Sequence, residues 1–174
     1  SSSAASDVYK RQIKDYPKPG ITYQDITPLL RDPQAFSLAI DLCCEKVDRD
    51  IDLIAAIDAR GFILGSSIAY KTGKGIIPIR KMNKLPYNVI AEKYSLEYGH
   101  DQIELHTDSI EEGQKIVLVD DVLATGGTTE AAIKLIDRLG GQLCAIIFLL
   151  ELKDLNGRTK IAKYANNIHS LIEF

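Results

Sequence analysis

No apolar run in this chain approaches the ~20 residues that a membrane-spanning helix needs. The N-terminus has no basic region followed by an apolar core, so no secretion signal is expected. Cysteine is scarce: Cys43, Cys44 and Cys144 are an odd set without metal-ligand spacing. The adjacent pair falls on a helix-like segment and reads as small core or boundary residues, and a reduced, cytoplasmic compartment is expected. Basic excess is missing too. A formal net charge of -3 and a pI near 5.6 leave no electrostatic footprint for nucleic acid. No G-x-x-x-x-G-K-[ST] occurs, which removes a P-loop kinase or GTPase, and the glycine spacing of a dinucleotide fold is absent. There is no internal repeat and no low-complexity linker.

What remains is 174 residues with 45% hydrophobic content, enough for one well-packed domain. Residues 1–12, "SSSAASDVYKRQ", lack an initiator methionine and any periodicity, and are expected to be a tag or frayed terminus. The single domain is therefore expected over 13–174. "DYPKPGITYQDITPLL" (15–30) carries three prolines around Gly20 and should be irregular, extended surface chain. Asp32 and Pro33 make an N-cap and first helical residue, with Phe36, Ile40, Cys43 and Val47 following at helical spacing. "DLIAAI" (52–57) reads as a buried strand and "FILGSSIAYKTG" (62–73) as a helix stopped by Gly73. In "GIIPI" (75–79), Pro78 argues for an edge position or strand end. "YSLEYGHDQIEL" (94–105) alternates on both sides of Gly99, as a pair of exposed strands would. "KIVLVDD" (115–121) is a buried strand, Thr129–Leu139 a helix ended by Gly140 and Gly141, and "LCAIIFLLEL" (143–152) another buried strand. Near-continuous apolar strands alternating with helices indicate an α/β domain on a mostly parallel sheet flanked by helices.

The chemistry concentrates in "IVLVDDVLATGGTTEAAIKLI" (116–136). Ligands of open α/β sheets bind beyond the carboxyl ends of the strands, where Asp120 and Asp121 stand. The turn Ala124-Thr125-Gly126-Gly127-Thr128 then leads into a helix. Its glycines allow close backbone approach, its amides and helix N-terminus attract an anion, and Thr125, Thr128 and Thr129 add hydroxyls. Carboxylates repel phosphate; their partners are sugar hydroxyls or a divalent cation. A ribose 5-phosphate satisfies both halves.

"VLVDDVLATGGTT" resembles the phosphoribosyl pyrophosphate (PRPP) motif of type I phosphoribosyltransferases. That resemblance implies that Asp120 and Asp121 contact the ribose 2- and 3-hydroxyls and that Ala124, Thr125, Gly126, Gly127 and Thr128 hold the 5-phosphate. "DYPKPGITYQDITPLL", "DARGFILG", "IRKMNKLP" and "YSLEYG", in that order, are similar to the adenine-specific branch of the family. The 6-oxopurine enzymes carry an acid where this chain has Ala124, facing the base N7. A methyl group cannot do that work.

The resemblance implies the rest. A small hood with a mobile β-hairpin would bring Glu97 onto the purine, where it would handle the imidazole proton at N7 or N9 as a general base. The "DARG" loop would grip pyrophosphate through the backbone of Asp58 and Ala59, across a cis peptide bond, with Arg60; a plain surface arginine is the alternative. Arg80 and Lys84, from the cationic "IRKMNKLP", would add pyrophosphate contacts, at a homodimer interface in relatives. Main-chain groups near Thr22 and Gln24 would read the adenine edge, with Val122 or Leu123 against the ring. His100, beside Glu97 on the hood, reads as a plain turn histidine with its role open, while His106 and His169 show no ligand spacing. Mg²⁺ would arrive bound to PRPP rather than to protein ligands. The implied reaction is purine salvage: adenine plus PRPP gives AMP and pyrophosphate. A transferase for hypoxanthine or xanthine, and a PRPP-binding regulator without catalysis, are the rival readings. Ala124 speaks against the first. The joint presence of Glu97, the "DARG" loop and the cationic loop speaks against the second. Glu97→Gln should keep the fold and PRPP affinity while lowering turnover at least about ten-fold; steady-state kinetics check this, and unchanged turnover removes Glu97 from the mechanism.

Overall fold

The computed structural model describes residues 11–17, 19–20, 22–96 and 98–174. The chain divides into two compact units, residues 1–41 and 42–174.

In the first unit, β1 (Arg11–Lys14) pairs antiparallel with β2 (Thr22–Asp25), setting Arg11 opposite Asp25 and Lys14 opposite Thr22. The connection contains a cis Tyr16–Pro17 bond, and the Gly20 amide donates to Asp15 Oδ1 at 2.7 Å. Asp25 is the tie-point. Arg11 Nε donates to its Oδ2 at 2.6 Å, and the Thr27 amide and hydroxyl donate to its Oδ1 at 2.9 and 2.7 Å. Those Thr27 bonds first, then Arg11, hold the carboxyl below its usual range. Two expectations change here. Arg11 and Gln12 belong to a strand, so the presumed frayed terminus shortens; residues 1–10 lie outside the described ones. The 15–30 segment is not irregular throughout, because Thr22–Asp25 contains no proline and keeps its amide donors for pairing. Pro28 falls in the first turn of helix α1 (Thr27–Arg31), where a missing amide hydrogen costs no hydrogen bond. Asp32 caps α2 (Pro33–Cys44) as expected, its Oδ1 accepting from the Gln34 and Ala35 amides at 3.0 and 2.9 Å.

The second unit is a seven-stranded sheet. Its strands are β3 (Leu53–Ile57), β4 (Gly75–Lys81), β5 (Val89–Ser95), β6 (His100–His106), β7 (Lys115–Leu123), β8 (Gln142–Glu151) and β9 (Ile168–Glu173). The order is β5-β6-β4-β3-β7-β8-β9. The run from β4 to β9 is parallel, and the β5–β6 hairpin joins it antiparallel, Arg80 opposite Glu104 and Lys81 opposite Ile103. Helices α3 (Gly61–Thr72) and α4 (Gly127–Arg138) pack on the sheet, and a short α5 (Gly157–Ile161) follows β8. This is the α/β arrangement the apolar strand runs imply. Gly73, at φ 70°, ends α3. Pro78 pairs with Ala56 on one side, while β6 joins β4 only from Arg80 onward. The proline thus sits on a locally open edge of an interior strand.

The expected strand pair at 94–105 is present but is not exposed throughout. Ile103 and Leu105 are fully buried and Tyr94 nearly so, in one core cluster with Leu118, Ile136 and Phe148. Helix α4 covers that face, and Arg138 Nη1 donates to the Ala91 carbonyl at 2.7 Å. Strand β9 and helix α5 had no clear signal. "IHSLIE" is a half-buried edge strand of mixed polarity, and five residues cannot show helical period. Among the described residues no helix is long and apolar enough to cross a membrane.

Candidate active site

Strand β7 delivers two carboxylates in succession, Asp120 half-buried and Asp121 buried. Its neighbour β3 pairs Ala56 with Val119, so the loop leaving β3 emerges beside the acidic pair. Helix α3 starts there, at Gly61. A Cβ on Gly61 would lie 3.0 Å from Asp120 Oδ1 and 3.3 Å from both Asp120 Cα and the Val119 carbonyl oxygen. Glycine lets that helix start come so near without displacing the Asp120 carboxylate. Arg60 Nε sits 2.5 Å from Asp121 Oδ2. This is a contact of opposite charges without hydrogen-bond alignment, because the buried Oδ2 accepts no aligned hydrogen bond. The Asp121 amide donates to Asp120 Oδ1 at 2.8 Å. Burial first, and then the Asp121 charge beside it, push Asp120 well above the ordinary carboxylate range; Arg60 pulls the other way more weakly. A buried acceptor oxygen without an aligned donor, next to a second carboxylate, suits two vicinal hydroxyls.

The loop Ala124–Thr128 continues from β7. Gly126 takes φ 86° as the N-cap of α4 and no side chain caps that end. The first helical bond runs from the Glu130 amide to the Gly126 carbonyl, at 2.9 Å. The amides ahead of it are free of side-chain capping and add to the positive end of a three-turn helix. Thr125 is exposed and Thr128 half-buried, whereas Thr129 is 3% exposed, which leaves the first two as the accessible hydroxyls.

On the β3 side the Asp58–Ala59 peptide bond is cis. The Asp58 carboxylate gathers cations: Arg80 Nε donates to Oδ2 at 3.3 Å, and Lys84 Nζ lies 3.8 Å from the same oxygen. The Lys81 amide also donates to it, at 3.4 Å. Arg80 further stacks over Phe62, 5.8 Å from the ring centroid. Asp58, Arg60, Arg80 and Lys84 therefore assemble around the loop that faces Asp120 and Asp121. Beyond the loop, Tyr94 and Ser95 at the end of β5 approach α4; a Cβ on Gly127 would lie 3.8 Å from Tyr94 Cδ2 and 3.9 Å from the Ser95 carbonyl oxygen. Glu97 lies outside the described residues.

A family model for the phosphoribosyl transferase domain matches residues 28–173. The chain belongs to the phosphoribosyltransferase family. A relative from Thermotoga neapolitana, named adenine phosphoribosyltransferase, is 54% identical over 165 residues, covering 94% of this chain and 96% of its own. The crystal structure of adenine phosphoribosyltransferase from Thermoanaerobacter pseudethanolicus superposes with a TM-score of 0.91 at 47% identity, over 97% of this chain and 99% of that one. The Saccharomyces cerevisiae enzyme, solved with an imino-altritol bisphosphate and adenine, superposes with a TM-score of 0.86 at 34% identity, over 97% and 98% of the two chains.

Within this phosphoribosyltransferase, Thr22 and Gln24 lie on β2 in the first unit, exposed and half-buried. Val122 and Leu123 end β7 in the second, and burial separates them: Leu123 is at 0% in the core cluster and Val122 is half-buried. Two features escaped the sequence. Gly61 looked like the last letter of a loop motif, and its approach to Asp120 shows only in three dimensions. Lys81, passed over beside Arg80 and Lys84, donates to Asp101 Oδ2 at 2.5 Å and to the Tyr94 hydroxyl at 2.7 Å, pinning the hairpin to β4. His106 is structural, its Nε2 accepting the Tyr87 amide at 3.2 Å.

Asp120 holds its proton more tightly folded than unfolded, so unfolding releases a proton across that window. Stability must then fall as pH rises from the ordinary carboxylate range through the raised folded value. Asp120→Asn keeps an acceptor for the Asp121 amide and removes the charge. It should flatten that fall and raise the melting temperature of the ligand-free protein near pH 7. Thermal melts from about pH 4 to about pH 8 check both, and a lower melting temperature for the variant near pH 7 contradicts the assignment.

Proposed function

We propose that this phosphoribosyltransferase transfers the 5-phosphoribosyl group of PRPP to adenine, giving AMP and pyrophosphate in purine salvage. The observation that carries the reading is the joint arrangement at the end of β7: an acidic pair, Asp120 half-buried and Asp121 buried, then a glycine turn into a helix whose N-terminus no side chain caps. A diol and a phosphate are held at once by such a pairing. Ala124, in the same loop, supplies no acid to the base, which favours adenine over a 6-oxopurine.

Asp120 and Asp121 would accept the ribose hydroxyls and fix C1 relative to the base. Backbone amides of Thr125–Thr128, with the hydroxyls of Thr125 and Thr128, would hold the 5-phosphate. Departing pyrophosphate gathers charge, and Arg60, Arg80 and Lys84, held by Asp121 and Asp58, would compensate it. Asp58 keeps two of those cations in place until the polyanion arrives. Among the described residues no group of three or more His, Cys, Asp or Glu is placed to hold a metal. Mg²⁺ bound through the PRPP phosphates needs no such group, and the acidic pair stays free for the ribose. When bound, the ion would neutralise the diphosphate. Glu97, on the hairpin, is proposed as the general base for the imidazole proton, and hairpin closure would exclude water from an electrophilic C1. Main-chain groups near Thr22 and Gln24 are proposed to read the adenine edge. Of the two spacer residues, Val122 is the better candidate against the ring, since Leu123 is committed to the core. A single working domain, extended from the expected 13–174 to take in Arg11 and Gln12 of β1, a homodimer and a cytoplasmic location belong to the same proposal.

A spectrophotometric assay with PRPP and Mg²⁺ tests it. Adenine should turn over at least about a hundredfold more efficiently than hypoxanthine, because a site matched to one hydrogen-bond pattern leaves the other unpaired. Omitting Mg²⁺ should abolish most of the rate. Tight PRPP binding without pyrophosphate release from any purine would favour a regulator instead.

A further inference from the structure

The phosphate loop is not self-supporting. Its back rests on the turn that follows β8. Strand β8 is in register with β7 up to the pair Leu123–Glu151, and the Leu152 amide donates to the Leu123 carbonyl at 2.9 Å. The chain then passes through a 3₁₀ turn (Lys153–Leu155) and Asn156, which takes φ 53°, to reach Gly157 at the start of α5. A Cβ on Gly157 would overlap the Ala124 carbonyl oxygen and lie 2.9 Å from Leu123 Cδ1 and 3.1 Å from the Gly126 amide nitrogen. The contact is reciprocal: a Cβ on Gly126 would lie 2.9 Å from the Gly157 carbonyl oxygen. Two glycine backbones thus pack face to face, one carrying the phosphate amides and the other behind it.

What holds Gly157 there is its neighbour. Arg158 Nη2 donates to Glu151 Oε1 at 2.7 Å and Nε to Oε2 at 3.2 Å, a two-pronged pairing, while Nη1 donates to the Ile168 carbonyl at 3.0 Å. The Ser170 hydroxyl donates to Glu151 Oε1 at 2.8 Å. Glu151 is 5% exposed. One buried carboxylate therefore ties together the end of β8, the edge strand β9 and the first turn of α5, through bonds that are directional rather than merely apolar. The Arg158 hydrogen bonds, foremost, hold Glu151 below its usual range, so the pair stays charged across neutral pH.

We infer that Gly157 and the Glu151–Arg158–Ser170 clamp are positioning residues for the 5-phosphate subsite: the clamp presses the Gly157 backbone against Ala124 and Gly126 and so sets where the loop amides point. None of the four touches substrate. The inference rests on the function proposed above. Its signature is selective. Loss of the clamp misaims the phosphate amides and weakens binding that is made equally before and during reaction, while the base and pyrophosphate contacts are untouched.

Gly157→Ala and Arg158→Met should each raise KM for PRPP at least about ten-fold, leaving KM for adenine and kcat within about two-fold. Ribose 5-phosphate affinity, read by calorimetry, should fall in parallel, and Arg158→Lys should recover part of the loss. Gly157→Ala introduces a backbone overlap and could prevent folding, so Arg158→Met is decisive. Unchanged PRPP KM in that variant overturns the inference, as does an equal rise for both substrates or a fall in kcat alone. Failure of Arg158→Met to fold overturns it too, since the clamp then serves the whole fold and not the loop. A wild-type protein inactive with adenine and PRPP would sink the proposed function, yet the ribose 5-phosphate comparison would still judge the clamp.

Discussion

Two adjacent carboxylates at the end of a buried strand repel one another, and removing both from water adds a second cost. Around Asp120 and Asp121 the protein answers this only partly. Arg60 supplies one opposite charge, at 2.5 Å from Asp121 Oδ2, and the Asp121 amide supplies one hydrogen bond to Asp120. One buried oxygen is left without an aligned donor. A fold selected for stability alone would not keep such a pair. Its persistence makes sense where a ligand brings the missing donors, and a ribose diol brings two. The neighbouring architecture is tight there: a Cβ at the start of helix α3 would press on Asp120 at 3.0 Å and oblige its carboxylate to shift by a few tenths of an ångström.

The same logic runs with opposite sign on either side of the pair. Ahead lies the open end of α4, positive and uncapped; behind lies a cluster of cations gathered on Asp58. A ligand negative at both ends and hydroxylated in the middle matches that sequence of charges. Asp58 has a dual value in this arrangement. It prevents Arg80 and Lys84 from dispersing into solvent, and its hold on them, at 3.3 and 3.8 Å, is loose enough for a polyanion to displace. The loop at the start of α4 is backed in turn by the end of β8 and the first residue of α5, through the Leu152 amide on the Leu123 carbonyl and Gly157 against Ala124 and Gly126.

Most of the fold was legible because apolar runs such as "IVLV" and "IIFLL" leave little choice but a buried strand, and Gly73 and Asp32 mark helix ends by known backbone chemistry. The first unit was misjudged where prolines were weighed as a group, although each sits where its missing donor is harmless. The exposed hairpin was misjudged because alternation reveals a buried face only once its partner is known, and α4 lies far along the chain. The acidic pair and the glycine turn stand where types and order placed them, at the end of β7 and the start of α4. Gly61, Lys81, Gly157 and Arg158 were not legible, because their roles consist of contacts with distant residues and leave no local spacing in the chain.

The central claim is that the acidic pair at the end of β7 is a diol grip, and calorimetric titration of AMP against 2′,3′-dideoxy-AMP tests it most directly. Each hydroxyl bond to a charged acceptor contributes about 1.5–3 kcal/mol, so AMP should bind at least about a hundredfold more tightly. That preference should largely vanish in an Asp120→Ala, Asp121→Ala double variant. Equal affinity for the two nucleotides in the unaltered protein would contradict the account.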